Sequence, residues 1–350
     1  MKPVNIPVVV EQNLQQNTSN TNQDSFDGKY LSIRDSVEDL IENLLNILPK
    51  KSSNFPVLKR FQSLSIDVPG KCPNACKYCV SAMHDEDLWE VVKSKSDFEQ
   101  FRKRYIDAMS WVKDEWTDTL ILTGSLSDPI VNDGFLEFLA SVNDELWDKQ
   151  FRKLEIQTSG ILIDDAKLDL LEKVWIKTIA ISLSSLDSDE NVEISGIKAK
   201  LAFDIQELTK KIKSRGFNLR LSFNLNSSYH KEFTNGVEWF FQKCEELWAD
   251  QIVFRELYTS GEWKIDDWIR ENKFDEKLLR KIKRYILKNG RILWRLPFWQ
   301  LLYSVNGKIS TLVDDNCMNS KWLREVQKYS IIRPNGKLYS HWDDEWSLIF

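Results

Sequence analysis

The chain has 350 residues, of which 42% are hydrophobic, and its formal net charge is −5. This length and apolar content suffice for a large buried core without disulfide support, and the acidic balance does not favour free duplex nucleic acid as a partner. Neither an apolar run of about 18 residues nor a secretory signal is found, so we expect a cytoplasmic protein without a membrane partner.

Residues 1–57 are predicted to form a disordered tract followed by a capping helix. Residues 11–24 include a single apolar side chain, Leu14, and so polar a segment cannot offset the entropy lost on ordering. Apolar residues then recur at helical spacing from Val37 to Leu48, and Pro49 ends the predicted helix.

Strand and helix signals alternate over residues 58–258, which predicts repeated βα units. Six strands are predicted, at 61–68, 119–123, 153–158, 178–183, 219–225 and 251–257. The spacing and right-handed crossovers predict an α/β fold, a partial (β/α)6 TIM-type barrel, in which reactive groups gather at the carboxyl ends of the strands.

Residues 259–350 are predicted to form a C-terminal α+β extension that packs on the barrel and serves a substrate or partner. A helical stripe ends at Asn289-Gly290, and the pairs Asn306-Gly307 and Asn335-Gly336 each lie between short apolar runs. An Asn-Gly pair in this context is a strong hairpin signal, so two hairpins are expected here.

Three of the five cysteines, Cys72, Cys76 and Cys79, lie in the eight residues CPNACKYC, directly after the first predicted strand. We call residues 72–79 the cysteine loop. Three thiolates on one short loop can ligate three irons of a [4Fe–4S] cube and leave the fourth iron open. The alternative is a zinc site with His84 as the fourth ligand, although zinc motifs more often use two Cys-x2-Cys pairs.

The Cys-x3-Cys-x2-Cys spacing, with an aromatic residue before the third cysteine, resembles the radical S-adenosylmethionine (SAM) superfamily. The resemblance covers residues 60–257 and includes three further segments at predicted strand ends. Residues 123–129 are similar to the family's Gly-rich segment, which contacts the amino group of SAM, and residues 154–162 are similar to the end of its third strand. Residues 181–187 are similar to the hydroxyl-bearing fourth strand of molybdopterin-precursor synthases. The family often shows Gly-Gly-Glu or a compact Gly-Thr-Gly-Asp-Pro here, so either Ser125-Leu126 replaces the usual pair or two residues are inserted before Asp128-Pro129. The cofactor-binding residues implied are Tyr78, Thr123, Gly124, Ser125, Gln157, Ser182 and Ser184.

The resemblance implies an oxygen-sensitive enzyme with two cofactors, SAM and one [4Fe–4S] cluster held by the cysteine loop. SAM would be cleaved reductively to a 5′-deoxyadenosyl radical, which takes a hydrogen atom from a small-molecule, nucleotide or peptide substrate. An electron donor such as flavodoxin or ferredoxin is implied. Cysteines for an auxiliary cluster are missing, because only Cys244, on an apolar helical stripe, and Cys317, in a polar loop, are left over.

Two other functions stay open at this point. The family also contains glycyl-radical activases, which act on a partner protein, but their Gly-Pro-Gly run is not well reproduced around Pro69-Gly70. A zinc-stabilised interaction protein would use the cysteine loop for structure and its tryptophan-rich C-terminal region for binding. The basic helix near residues 277–288 is predicted to be a solvated face, or else a docking surface for an acidic partner such as flavodoxin.

Overall fold

The computed structural model describes residues 63–79, 98–114, 117–124, 127–257, 259, 265–295, 301–313, 329–341 and 347–349. All of them belong to the unit Val57–Phe350. The predicted capping helix, His84, Ser125 and Cys317 lie outside the described residues.

The described strands form one mixed sheet. They are β1 Ser63–Asp67, β2 Thr119–Thr123, β3 Lys153–Thr158, β4 Thr178–Leu183, β5 Asn218–Leu225, β6 Gln251–Glu256, β7 Arg291–Arg295, β8 Leu301–Val305, β9 Lys308–Val313, β10 Tyr329–Ile332 and β11 Leu338–Tyr339. Their order is β11-β10-β1-β2-β3-β4-β5-β6-β9-β8-β7. The strands from β10 through β9 in this order are parallel. The predicted partial α/β barrel is confirmed, and the sheet is not closed.

Helices follow most of the parallel strands, as a βα series requires. They are α1 Arg102–Asp114, α2 Asp133–Glu145, α3 Asp165–Lys173, α4 Ser188–Ile194, α5 Ile205–Ser214, α6 His230–Thr234, α7 Val237–Glu246, α8 Ile265–Glu271 and α9 Glu276–Asn289. Short 3₁₀ turns lie at Pro129–Val131, Trp147–Lys149, Ala199–Leu201 and Ser227–Tyr229. Asp or Asn caps such as Asp164 and Asp204 accept a hydrogen bond from the first turn and so fix where a helix begins. None of the described helices has the length and apolar content needed to span a membrane.

The C-terminal strands extend the barrel sheet at both of its edges. The two predicted hairpins are present, β8–β9 and β10–β11, and Asn306 and Gly307 take the positive φ values of 50° and 78° that such a turn needs. In addition, β9 pairs with β6 and β10 pairs with β1, both in parallel. These pairings satisfy backbone groups that would otherwise be exposed on β1 and β6. The division at residue 258 stays a prediction.

The two faces of the sheet differ in polarity because side chains alternate along each strand. Leu122, Ile156, Ile179 and Leu219 lie side by side on successive strands and are buried in the core with the helices. The opposite face, which we call the inner face, carries polar side chains instead. At the carboxyl ends of the strands these include Thr123, Gln157, Ser182, Ser222 and Asn224.

Two helices end with tryptophan where glycine is usual. Trp175 and Trp248 lie just beyond α3 and α7 with φ values of 64° and 55°. In each case the next residue donates its N–H to a carbonyl five positions earlier, from Ile176 to Leu171 and from Ala249 to Cys244, as in a Schellman motif. The apolar stripe that carries Cys244 in the sequence would also place Trp248 on α7. Instead, Trp248 lies beyond the end of that helix and is 39% exposed.

This arrangement gives a testable difference between two substitutions at Trp175. Both Trp175→Gly and Trp175→Ala remove a ring that is 56% exposed. Alanine keeps the strain of the left-handed conformation, whereas glycine relieves it, so the glycine variant is expected to be more stable by about 0.5–1 kcal/mol. Urea unfolding measures the difference, and an alanine variant of equal or greater stability would contradict the strain assignment.

Candidate active site

The cysteine loop begins at the carboxyl end of β1, and its entry is fastened to the segment that follows β2. Val68 donates its N–H to the Thr123 carbonyl at 2.7 Å, and the Asn132 amide donates to the Pro69 carbonyl at 2.7 Å. The Ser127 hydroxyl donates to the Val68 carbonyl. These bonds hold the loop over the end of the sheet, where barrel enzymes place their reactive groups.

The first half of the loop is anchored by a chain of three polar side chains. The Asn74 amide donates to Ser159 Oγ at 2.8 Å. Ser159 in turn donates to Asp128 Oδ2 from both its N–H, at 2.8 Å, and its hydroxyl, at 2.6 Å. Asn74 is thereby fixed by residues that follow β2 and β3. Its own Oδ1 is buried and has no hydrogen-bond partner among the described residues.

The middle of the loop packs against the end of α4. Ala75 donates its N–H to the Gly196 carbonyl at 3.3 Å, and Lys77 donates to the Ile194 carbonyl at 3.1 Å. Gly196 has φ +57°, and a Cβ added there would lie 2.4 Å from the Ala75 carbonyl oxygen. A glycine is therefore required at this contact, since any side chain would displace the loop.

The end of the loop is held by Tyr78 through a hydroxyl network. Asn224 donates to Tyr78 Oη at 3.0 Å, so the phenol hydrogen is free to donate to Ser184 Oγ at 2.6 Å. Ser184 in turn lies 3.0 Å from Ser195 Oγ. Burial raises the pKa of Tyr78, which keeps the phenol protonated. The Tyr78 ring also lies 6.0 Å from that of Trp268 in α8.

The thiols of the loop share one environment. Burial raises the pKa of Cys72 to about 11, and the Asp128 carboxylate and Cys79 add to this effect. Burial also raises the pKa of Cys76 to about 12, with Cys79 and Cys72 as further causes. The three thiols are therefore near enough to influence one another electrostatically. Metal binding requires thiolates, so loading must release protons and weakens as the pH falls.

The donor set fits an iron–sulfur cluster better than a single ion. Three cysteine sulfurs are the ligands that such clusters use. In the described part of the chain, no three His, Cys, Asp or Glu side chains lie close enough together to hold one metal ion. A cube places each thiolate on a different iron, so its ligands lie farther apart. Cys72, Cys76 and Cys79 would hold it.

Four of the predicted cofactor residues lie near the cysteine loop. Thr123 ends β2, and its hydroxyl lies 3.4 Å from the Ile66 carbonyl. Gly124 turns so tightly that a Cβ would lie 2.1 Å from the Ser127 carbonyl oxygen. Tyr78 and Ser184 contact each other directly, and Ser184 is completely buried. Their roles toward a cofactor stay predictions, as does that of Ser125.

The other two predicted residues lie on the inner face. Ser182 is half-buried and neighbours Ser222 on β5. Gln157 donates to Glu155 at 3.0 Å, and the same carboxylate forms a buried ion pair with Arg220. The inner face therefore offers both hydroxyl groups and a charged pair to a bound molecule.

A cavity of about 490 Å³ opens beside the loop. Lys77, Asn226, His230 and Trp268 are among the residues that line it. Charged side chains in its wall form ion pairs with one another, for example Lys77 with Glu193 at 3.0 Å. The site thus combines the cysteine loop, a polar inner face and space for part of a polar ligand.

Several supporting residues were missed in the sequence. They are Asn74, Asn191, Ser195, Asn224 and Asn226. Asp128 and Ser159 lie within segments that the sequence singled out, but neither was assigned a role. Asn224 and Asn226 carried a usable signal, because they are polar residues at the end of a predicted strand. Asn74 acts through a contact between distant segments, since Ser159 lies 85 positions later.

Comparison with known proteins gives one family and one fold. Residues 66–226 match the model of the radical SAM superfamily. Streptococcus suis SuiB has 16% identity and a TM-score of 0.51, with 95% of this chain and 69% of that chain covered. SuiB bound to the precursor peptide SuiA has 18% identity with the same TM-score and coverage. The protein anSMEcpe with bound AdoMet has 13% identity and a TM-score of 0.50, with 80% and 74% covered. No curated protein matches the sequence.

Proposed function

The chain belongs to the radical SAM superfamily, and from this premise we propose that it is an enzyme that cleaves SAM reductively and abstracts a hydrogen atom from a substrate. A [4Fe–4S] cluster on Cys72, Cys76 and Cys79 would supply the electron and an open iron for SAM. The protein's part is to orient SAM, to shield the radical and to position the substrate.

The observation that carries this proposal is the anchoring of the cysteine loop. Three thiols lie on the short loop that follows β1, and this loop is fixed to the end of β3 through Asn74, to α4 through Ala75 and to β5 through Tyr78. A zinc knuckle in an interaction protein needs no such connection to a polar barrel face. The loop is therefore built to present its metal toward the carboxyl ends of the strands.

The surrounding residues are assigned to SAM by position. The backbone at Thr123 and Gly124 lies beside the loop entry and would meet the amino group. Ser182 and Gln157 reach the inner face and would meet the ribose or carboxylate. Ser184 has a different part, because its buried hydroxyl already bonds Tyr78. We assign it to holding Tyr78, whose backbone would approach the adenine.

Iron analysis tests the metal assignment. Protein reconstituted without oxygen is expected to bind about four irons per chain and to be brown, because one cube is held and only Cys244 and Cys317 remain, too few to hold a second. Iron and acid-labile sulfide are measured together with zinc. Iron near eight per chain, or a colourless protein with one zinc, would each overturn the assignment.

The inner-face assignment is tested at Ser182. Leucine at this half-buried position would fill the space beside Ser222, so SAM affinity should fall by at least about tenfold, or about 1.4 kcal/mol. Iron content should stay at the wild-type level, because Ser182 is not one of the three proposed cluster ligands. Calorimetry on reconstituted protein compares Ser182→Leu with Ser182→Ala as the conservative control. Unchanged affinity in the leucine variant would remove β4 from the SAM site.

A peptide is the substrate class that we favour over a small molecule or nucleotide. The support is that two proteins of this fold, SuiB and anSMEcpe, have been solved with peptides bound. Short reading frames next to the gene supply the first candidates. A true substrate is expected to change in mass and to stimulate formation of 5′-deoxyadenosine. Stimulation by nucleotides instead would contradict this choice.

A further inference from the structure

Asp128 is a buried carboxylate directly behind the cysteine loop. It is 4% exposed and accepts three hydrogen bonds, two from Ser159 and one from the Ile130 N–H at 3.2 Å. All three donors are N–H or O–H groups, which is the pattern of a carboxylate in its charged form.

The partners of this charge can be stated for the described residues. Among the described residues, no Lys, Arg or His side chain lies within ion-pair distance of Asp128. Within this part of the chain, the negative charge of the carboxylate is therefore stabilised by hydrogen bonds and not by a cation. The carboxylate is connected to the cysteine loop, because Ser159, which donates to Asp128, also accepts from Asn74 within that loop.

The same carboxylate fixes the loop mechanically. Ser159 uses its hydroxyl hydrogen on Asp128, so its oxygen is left to accept from the Asn74 amide at 2.8 Å. Asn74 lies two residues from Cys72 and two from Cys76. The distance between the charge and the first two sulfur ligands is thus set by one continuous hydrogen-bonded chain.

We propose that Asp128 is a positioning residue whose charge lowers the reduction potential of the cluster, a role that rests on the proposed function. Adding an electron to a cluster beside a fixed negative charge costs more free energy in a buried site than in water. Net charge and hydrogen bonding around the sulfurs are among the factors that set cluster potentials. A lower potential makes the reduced cluster a stronger electron donor.

The test is the midpoint potential of reconstituted Asp128→Asn, followed by electron paramagnetic resonance during a redox titration. Asparagine keeps the size and can still accept from Ser159, so wild-type iron content and a more positive potential are expected. Ser159→Ala is the control: it breaks the chain to Asn74 and retains the charge, so its potential should shift less. An unchanged potential in Asp128→Asn at full iron content would overturn the proposal.

A second variant tests the proposal if Asp128→Asn binds too little iron for a redox titration. Asn74→Asp gives up the bond donated to Ser159 but places an additional carboxylate two residues from Cys72 and from Cys76, so its potential should become more negative than that of the wild type. An unchanged potential in this variant would overturn the proposal as well. If the wild-type protein binds no cluster, the proposed function is wrong. An unchanged potential in a loaded variant contradicts only the role of Asp128.

Discussion

Replacing Cys76 by alanine is expected to remove the iron and to abolish the reductive cleavage of SAM. A cube left with two protein ligands loses the loop that holds it, and without the cluster no electron reaches SAM. Iron content and 5′-deoxyadenosine formed with dithionite measure the two effects. Cys72→Ala and Cys79→Ala should behave in the same way.

Cys244 provides the matched control for this series. It is a completely buried thiol on α7, and burial raises its pKa, so it is a core residue rather than a ligand. Cys244→Ala should keep wild-type iron and SAM cleavage. Persistent cleavage in Cys76→Ala, or loss of iron in Cys244→Ala, would contradict the ligand assignment.

The second large effect is expected at Gly196. Alanine there would bring its Cβ to 2.4 Å from the Ala75 carbonyl oxygen, so the cysteine loop must move away from α4. Because this moves the backbone between Cys72 and Cys76, iron content should fall strongly. The measurement is iron per chain after reconstitution, with circular dichroism to show that the barrel is folded.

Gly216 separates the clash from backbone strain. It also has a positive φ, +81°, but a Cβ at Gly216 would meet no atom within 4 Å. Gly216→Ala should therefore lose about 1 kcal/mol of stability from strain alone and retain full iron. Equal iron loss in both variants would show that the contact with α4 does not position the loop.

The barrel strands could be predicted because they are local signals. Buried parallel strands are short apolar runs between turn residues, and the predicted bounds of β2, β3 and β4 agree with those observed. The seven-residue helix α4 was missed, because so short a segment shows little helical periodicity. That helix matters, since its end carries the contact with the cysteine loop.

The edges of the sheet could not be predicted from local patterns. The Asn306-Gly307 hairpin is a local feature, but its pairing with β6 joins Gln251 to Ile309 across the chain. Likewise, β10 pairs with β1 more than 260 positions away, for example Ser63 with Tyr329. Such pairings depend on which edges the finished barrel leaves open, and no spacing in the sequence encodes them.

The candidate site divides in the same way. The cysteine spacing lies within eight residues and was readable at once. The network that positions it joins Tyr78 to Ser184 over 106 positions and to Asn224 over 146. Ser184 was expected to face SAM, and its complete burial against Tyr78 became visible only in the fold.

The measurement that tests the account most directly is the product of SAM in wild-type protein. Anaerobically reconstituted enzyme, given SAM and dithionite without a substrate, should form methionine and 5′-deoxyadenosine slowly and in equal amounts. Chromatography with mass detection quantifies both. Protein that binds four irons and SAM and yet forms no 5′-deoxyadenosine under these conditions would contradict the central claim.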